Sequence, residues 1–187
     1  MALFKLEQPR VVYFADFVLY PTVIAGGIGI MLWRDPGPVW VLLLAAILGF
    51  FAWSLIEYGL HRFVLHGLQP FKRWHEQHHQ RPFALIGTST PASLLLFGVL
   101  VFWPLSLGTD RWVALAATLG VVTGYLLYTI VHHASHHWKA RSGSWMQARK
   151  KDHARHHHPG VEGWYGVTTP FWDHVFRTDS CTTTKLR

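Results

Sequence analysis

Four long apolar runs free of Asp, Glu, Lys and Arg organise the chain: Phe17 to Trp33, Pro36 to Ile56, Phe83 to Thr109 and Trp112 to Val131. A helix needs about 20 such residues to cross a hydrocarbon core. Helices buried in a soluble bundle would show a polar face at helical period, and the stretch VWVLLLAAILGFFAW (39–53) shows none. The pattern predicts an all-α, integral membrane four-helix bundle forming a single membrane domain over 1–187, with spans at about 11–33, 38–60, 85–107 and 112–131. The third run contains TSTPAS (88–93), which predicts an interfacial or re-entrant entry before a span proper at Leu94 to Leu107. Glu7, Pro9 and Asp16 crowd the first run and no small-residue cleavage pattern stands out, so it reads as a span rather than a cleaved leader. The polar remainder, a loop at 61–82 and a tail at 132–187, is expected to form a helical cap.

Composition sharpens this picture. Half of the 187 residues are hydrophobic and 14% are charged, against roughly 25% charged in an ordinary soluble domain. The mean hydropathy is only +0.18, so the apolar content is concentrated in the runs. Disorder, a disulfide scaffold and a collagen-like fibre are excluded. The one cysteine, Cys181, has no internal partner for a bridge.

The basic residues are distributed unevenly about the runs. Fifteen of the 17 Lys and Arg fall in Met1–Arg10, the loop and the tail, while only Arg34 and Arg111 lie in the other two turns. This bias predicts that both termini, the loop and the tail are cytoplasmic. The formal charge of +7 then reflects membrane topology and anionic headgroups rather than nucleic acid, which would not explain the spans.

All 14 histidines lie in the segments assigned to that one side. They cluster as HRFVLH (61–66), HEQHH (75–79), HHASHH (132–137) and HARHHH (153–158), with His174 apart. Residues three and four apart share a helix face, so His75 with His78 and His79, His132 with His136, and His153 with His156 and His157 each offer imidazoles from one turn. His61 and His66 are five apart, about 140° on an ideal α-helix, and need a helix end or an irregular turn. An affinity tag would be contiguous and terminal, whereas these tracts are interrupted and internal. Neutral imidazole suits iron, zinc and copper. One tetrahedral zinc uses four ligands at most, so ten imidazoles fill two sites of about five each. Two metals in all-nitrogen ligation with an open position point to iron and O₂ chemistry rather than hydrolysis.

With HRFVLH, HEQHH, VHHASHH and KDHARHHHPGVEGWYGVTTPFWDHVFRT in this order between apolar runs, the chain resembles the membrane fatty acid hydroxylase / sterol desaturase superfamily over about residues 50–178. It is most similar to the fatty acid 2-hydroxylase branch, whose closing stretch has a similar HH…GFG(V/I)T…WD..F.T pattern. The short His66-to-His75 spacing is also similar to bacterial carotene hydroxylases, although the third box lacks their HDGLVH-like form. The resemblance implies a cytoplasmic dimetal site with His61, His66, His75, His78, His79, His132, His136, His153, His156 and His157 as ligands. His133 falls where relatives often have an aromatic residue. His137 and His158 trail their boxes as surface or outer groups, and His174 is expected to be structural. Asp152 and Asp173 are candidates to orient ligating imidazoles or else solvated carboxylates, and Glu57 is a candidate acceptor for a ligand histidine.

The expected function is O₂-dependent hydroxylation of a lipid acyl chain at a non-haem diiron centre, with carotenoid hydroxylation or sterol or lipid desaturation as the alternative outcome of the same chemistry. The expected cofactors are two iron ions, with zinc fitting the same imidazoles in purified protein, and O₂ as co-substrate. The expected partners are a bilayer lipid as substrate and a separate electron donor, cytochrome b5-like or ferredoxin-like, since 187 residues leave no room for a fused cytochrome b5-like domain beside four spans. A basic surface of Arg149, Lys150, Lys151 and Arg155 is the candidate docking site for that donor. A metal transporter or sensor would carry ionisable groups inside its spans, where only Asp16 and Glu57 lie near span ends.

Overall fold

The computed structural model describes residues 7–180 and the backbone of 182–183. Cys181 lies outside the described residues, as do Lys5, Lys185 and Arg187 of the basic set. Nine helices are found among the described residues, four of whose continuous stretches are long and apolar enough to cross a membrane: Arg10–Arg34, Val39–Leu65, Thr90–Gly108 and Arg111–His137. The first stretch comprises α1 (Arg10–Phe14) and α2 (Asp16–Arg34). The second is α3 (Val39–Gly59) continued by a π-helical turn at Leu60–Leu65. The third is α5 (Thr90–Phe97), a π-helical turn at Gly98–Phe102 and α6 (Trp103–Gly108), and the fourth is α7 (Arg111–His137). The remaining helices are α4 (Phe71–Gln80), α8 (Trp145–His156) and α9 (Phe171–Val175). Extended structure among the described residues is slight: a two-residue antiparallel ribbon, β1 (Val161–Glu162) with β2 (Thr182–Thr183), and an isolated bridge between Glu7 and Ile86.

The third stretch begins at Thr90, inside TSTPAS, rather than at 85. The reason is local: Leu85 accepts the Gln8 amide at 2.8 Å, and Ile86 pairs with Glu7 in an extended bridge, so this backbone is already committed. Pro91 then occupies the first turn, where its missing N–H costs nothing.

The described chain divides into two compact units, one of residues up to Trp53 with Leu85–Leu126, the other of Ser54–Ala84 with the residues from Leu127 onward. The first unit packs around an aromatic cluster. The Tyr125 ring lies 5.1 Å from Tyr20, 5.2 Å from Trp53 and 5.2 Å from Phe97, all edge-on, the arrangement that ring quadrupoles prefer. In this unit α3 and α7 approach backbone to backbone. A Cβ on Gly120 would stand 2.0 Å from the Ala46 carbonyl oxygen, so only glycine permits the crossing. Two buried polar pairs join α2 to α5: Thr90 donates to the Asp16 carboxylate, and the Tyr20 and Ser93 hydroxyls meet at 2.5 Å. Few polar groups are free to do this inside a membrane span, where each must find a protein partner.

Candidate metal centre

The second unit contains all four histidine boxes. His61 and His66 meet because the helix loosens between them. The His66 amide bonds to the His61 carbonyl at 3.2 Å, five residues back, which closes a π turn and brings two side chains that an α-helix would splay apart onto one face. His75, His78 and His79 lie on α4, His132 and His136 at the end of α7, and His153 and His156 on α8, with His157 at its C-cap.

These ten imidazoles form two groups of five. His61, His66, His75, His79 and His156 make one; His78, His132, His136, His153 and His157 make the other. Within each group one nitrogen per residue lies within 4.8 Å of every other. The geometry gives the first and third boxes whole to one group each and divides the second and fourth between the two. Adjacent residues on a helix point about 100° apart, so His78 and His79 serve different groups, as do His156 and His157, while α7 gives His132 and His136 to the second. The groups abut: the His79 and His157 rings stack at 4.1 Å.

Nitrogen spacing tests whether a metal fits. The Nε2 atoms of His61 and His75 are 3.0 Å apart, those of His75 and His79 3.0 Å, and those of His66 and His156 3.1 Å. In the second group His78 and His132 are 3.1 Å apart and His136 and His153 2.8 Å. Nitrogens about 2.0–2.1 Å from one ion stand about 3.0 Å apart when they subtend a right angle and about 3.4 Å at a tetrahedral corner. The observed edges match the right-angled case, which leaves a position open on an ion with five nitrogen ligands. A hydrogen-bonded array of neutral rings fits less well, because one proton on His75 Nε2 satisfies only one of its two neighbours. In addition, both ring nitrogens of His157 are buried and find no hydrogen-bond partner among the described residues. Each group can therefore hold a metal ion.

The loop after α8 orients the first group. His61 Nδ1 lies 2.5 Å from the Tyr165 carbonyl and His156 Nδ1 2.8 Å from that of Gly163. A carbonyl only accepts, so each imidazole carries its proton on Nδ1 and presents a bare Nε2 to the cluster. The Tyr165 ring closes this side, 5.4 Å from His66 and 5.6 Å from His156.

Burial keeps the imidazoles neutral, the form that binds metal. Desolvation alone lowers His79 to about 4; desolvation reinforced by the neighbouring rings lowers His66 to about 4, His78 to about 3 and His157 to about 2, and holds His75, His153 and His156 well below the ordinary value. The sign for stability follows. The unfolded chain takes up these protons near pH 6.5 and the folded cap refuses them until about pH 4. Stability is therefore complete above about 6.5 and falls as pH drops toward about 4. Near-UV circular dichroism of chelator-stripped protein in detergent should show a cooperative loss across this window; an unchanged signal from pH 7 to 4 would contradict the buried neutral clusters.

Several other expectations need correction. Glu57 accepts from no histidine. Its Oε1 takes the amides of Val167 (2.7 Å) and Thr168 (2.9 Å), and its Oε2 takes the Thr168 hydroxyl (2.6 Å). Asp152 does not orient an imidazole either, since Arg149 and Arg155 bind its two oxygens at 2.5 and 2.8 Å. Asp173 is neither solvated nor a histidine partner; it is buried and accepts the amides of Tyr165 and Gly166, both at 2.8 Å. Arg149 is buried beside Asp152, so it leaves the proposed basic surface to Lys151 and Arg155, with Lys150 tied to the Trp138 carbonyl at 2.7 Å. His133 is buried against His137, and His137 and His158 are exposed. His174 is exposed and bonded to Asp179 at 2.6 Å. The carbonyls of Gly163 and Tyr165 were invisible to a reading of side chains, because every residue has one.

Comparison with known proteins places this arrangement. A family model described as fatty acid hydroxylase matches residues 46–178. The chain belongs to the fatty acid hydroxylase family. It is 33% identical over 144 residues to fatty acid 2-hydroxylase of Homo sapiens, which covers 71% of this chain and 38% of that protein. It is 35% identical over 146 residues to a ceramide very long chain fatty acid hydroxylase of Saccharomyces cerevisiae, covering 70% and 36%. It is 33% identical over 141 residues to a dihydroceramide fatty acyl 2-hydroxylase of Arabidopsis thaliana, covering 70% and 58%. The chain thus spans less than two-fifths of the human and yeast relatives. In structure it is similar to full-length scs7p, of which only the hydroxylase domain is visible, with TM-score 0.76, 26% identity and coverage of 96% of this chain and 71% of that one. The family match includes every one of the ten clustered histidines and the loop that orients them. Its members are oxidoreductases acting on lipids, and this chain is homologous to them.

Proposed function

We propose that the protein hydroxylates a fatty acyl chain next to its carbonyl, on a free acid or an amide-linked lipid, using O₂ and two electrons. The observation that carries this reading is the pair of abutting five-imidazole clusters in a chain homologous to fatty acid and ceramide hydroxylases. The overall change converts C–H, O₂, two electrons and two protons into C–OH and water. Two iron ions, one per cluster, supply the activation of O₂ when bound.

The chain's own residues supply the rest. Ten neutral imidazoles leave the centre with no ligand negative charge to compensate, and the burial of His61, His78, His153 and His156 keeps bulk water from it. The Gly163 and Tyr165 carbonyls fix two of the rings in one tautomer. The apolar helices keep the site supplied with substrate from the bilayer. Electrons come from a donor protein, for which the exposed Lys151 and Arg155 on α8 are the docking residues we favour. The same reading places both chain ends and the histidine-bearing segments on the cytoplasmic side, supported by the 15-to-2 distribution of basic residues.

The test is expression in a host that lacks 2-hydroxylated lipids, followed by mass spectrometry of extracted lipids. Hydroxylated acyl chains that depend on the histidine clusters are the expected result. Products carrying a new double bond, or hydroxylated isoprenoids, would assign the site to the related chemistries instead.

A further inference from the structure

The loop from Gly163 to Thr168 is held with unusual completeness, and two carboxylates do most of the holding. Five consecutive amides have identified acceptors. Trp164 donates to the Thr178 carbonyl at 2.9 Å, Tyr165 and Gly166 to the two oxygens of Asp173, and Val167 and Thr168 to Oε1 of Glu57. The hydroxyl of Thr168 adds a bond to Glu57 Oε2, and that of Thr178 one to Asp173 Oδ1 at 2.7 Å. Both carboxylates are sequestered, Glu57 at 3% and Asp173 at 1% exposure. A buried carboxylate needs a cation or several donors, and here backbone amides meet that need. With its amides engaged on one side, the loop turns the Gly163 and Tyr165 carbonyls to His156 and His61. Gly163 has φ of +135°, and a Cβ there would meet the Thr178 carbonyl at 2.3 Å, so the path is restricted to glycine.

The two metal clusters are served unequally. Both carbonyls act on histidines of the first group, and none of the hydrogen bonds that hold this loop reaches His78, His132, His136, His153 or His157 among the described residues. Those five are placed by α4, α7 and α8 themselves.

We propose that Glu57 and Asp173 are positioning residues for one cluster only: by clamping the 163–168 loop they set the orientation of His61 and His156, and so the affinity of the first group for its metal, while leaving the second group to the helices. The proposal rests on the reading of both groups as metal sites. Loss of the partner that orients a ligating histidine typically weakens metal binding about 10–100-fold. Glu57→Ala removes three hydrogen bonds from the loop. Glu57→Gln retains one oxygen for the amides of Val167 and Thr168 and recovers part of the loss.

The experiment is an anaerobic titration of the chelator-stripped full chain in lipid nanodiscs with iron(II), in two backgrounds that each leave one cluster intact. In His136→Ala, where the first group is intact, Glu57→Ala should weaken the remaining site about 10–100-fold, Asp173→Asn should weaken it in the same direction, and Glu57→Gln should restore part of the affinity. In His66→Ala, where the second group is intact, the Glu57 and Asp173 substitutions should leave affinity within about twofold. Equal weakening in both backgrounds, or none in either, would overturn the proposal. Should Glu57→Ala fail to fold, Thr168→Val deletes only the hydroxyl bond and carries the same comparison with a smaller shift. A parent chain that takes up fewer than two ions defeats the two-metal reading itself, a different result from two ions bound with no response to Glu57.

Discussion

Replacing His156 by alanine is expected to cut lipid oxygenation to background and to leave the chain holding one metal ion tightly instead of two. His156 is 2% exposed, its Nε2 lies 3.1 Å from that of His66, and its Nδ1 is held by the Gly163 carbonyl. The substitution therefore removes a fixed nitrogen from a group of five and opens a cavity where the metal should sit. On the proposed reading, in which O₂ is split only with both ions in place, one weakened site is as damaging as two. His174→Ala is the control. That ring is exposed, bonds only to Asp179 among the described residues, and belongs to neither group, so most activity should remain. The comparison uses membranes with matched protein levels, a reconstituted electron donor and O₂. Near-normal oxygenation in His156→Ala with loss in His174→Ala would show the ligand assignment to be wrong.

Reporter domains inserted at residues 35 and 110 are expected to read as external, and reporters in the 61–82 loop or the tail as cytoplasmic. Four helices long and apolar enough to cross a membrane place the loop and the tail on one side and the two short turns on the other, if each crosses once. Arg34 and Arg111 are the only basic residues near those turns. Each lies against a neighbouring tryptophan, Arg34 at 4.3 Å and Arg111 at 5.3 Å from the ring centroid, an arrangement suited to a headgroup layer. The difference between the two faces should be all-or-none. A cytoplasmic signal at 35 or 110 would reverse the arrangement and would put the clusters out of reach of a cytoplasmic donor.

The helices were legible because hydrophobic length is a one-dimensional property that the sequence displays directly. The histidine boxes were legible for a similar reason, since i, i+3 and i+4 spacings survive folding of a local helix. Even the awkward five-residue step from His61 to His66 announced an irregular turn, which the structure supplies as a π turn. How the boxes combine was not legible. Whether His78 joins His132 or His61 depends on how α4 meets α7 and α8, and no spacing along the chain encodes that docking. Glu57 illustrates the same limit. Proximity to His61 in sequence suggested a histidine partner, yet amides 110 residues away claim the carboxylate. Arg149 was read as surface from its basic neighbours, yet it is buried, paired with Asp152 at i+3 and within electrostatic reach of Asp173, which lies 24 residues further on.

The most direct test of the diiron hydroxylase account is turnover under ¹⁸O₂ with a defined acyl lipid, the purified iron-loaded chain and a reducing donor. The account predicts a hydroxylated acyl product carrying one ¹⁸O atom at the carbon next to the carbonyl, formed in proportion to the chains that hold two iron ions. A product whose oxygen derives from water, or no oxygenated product from chains loaded with two iron ions, would contradict it.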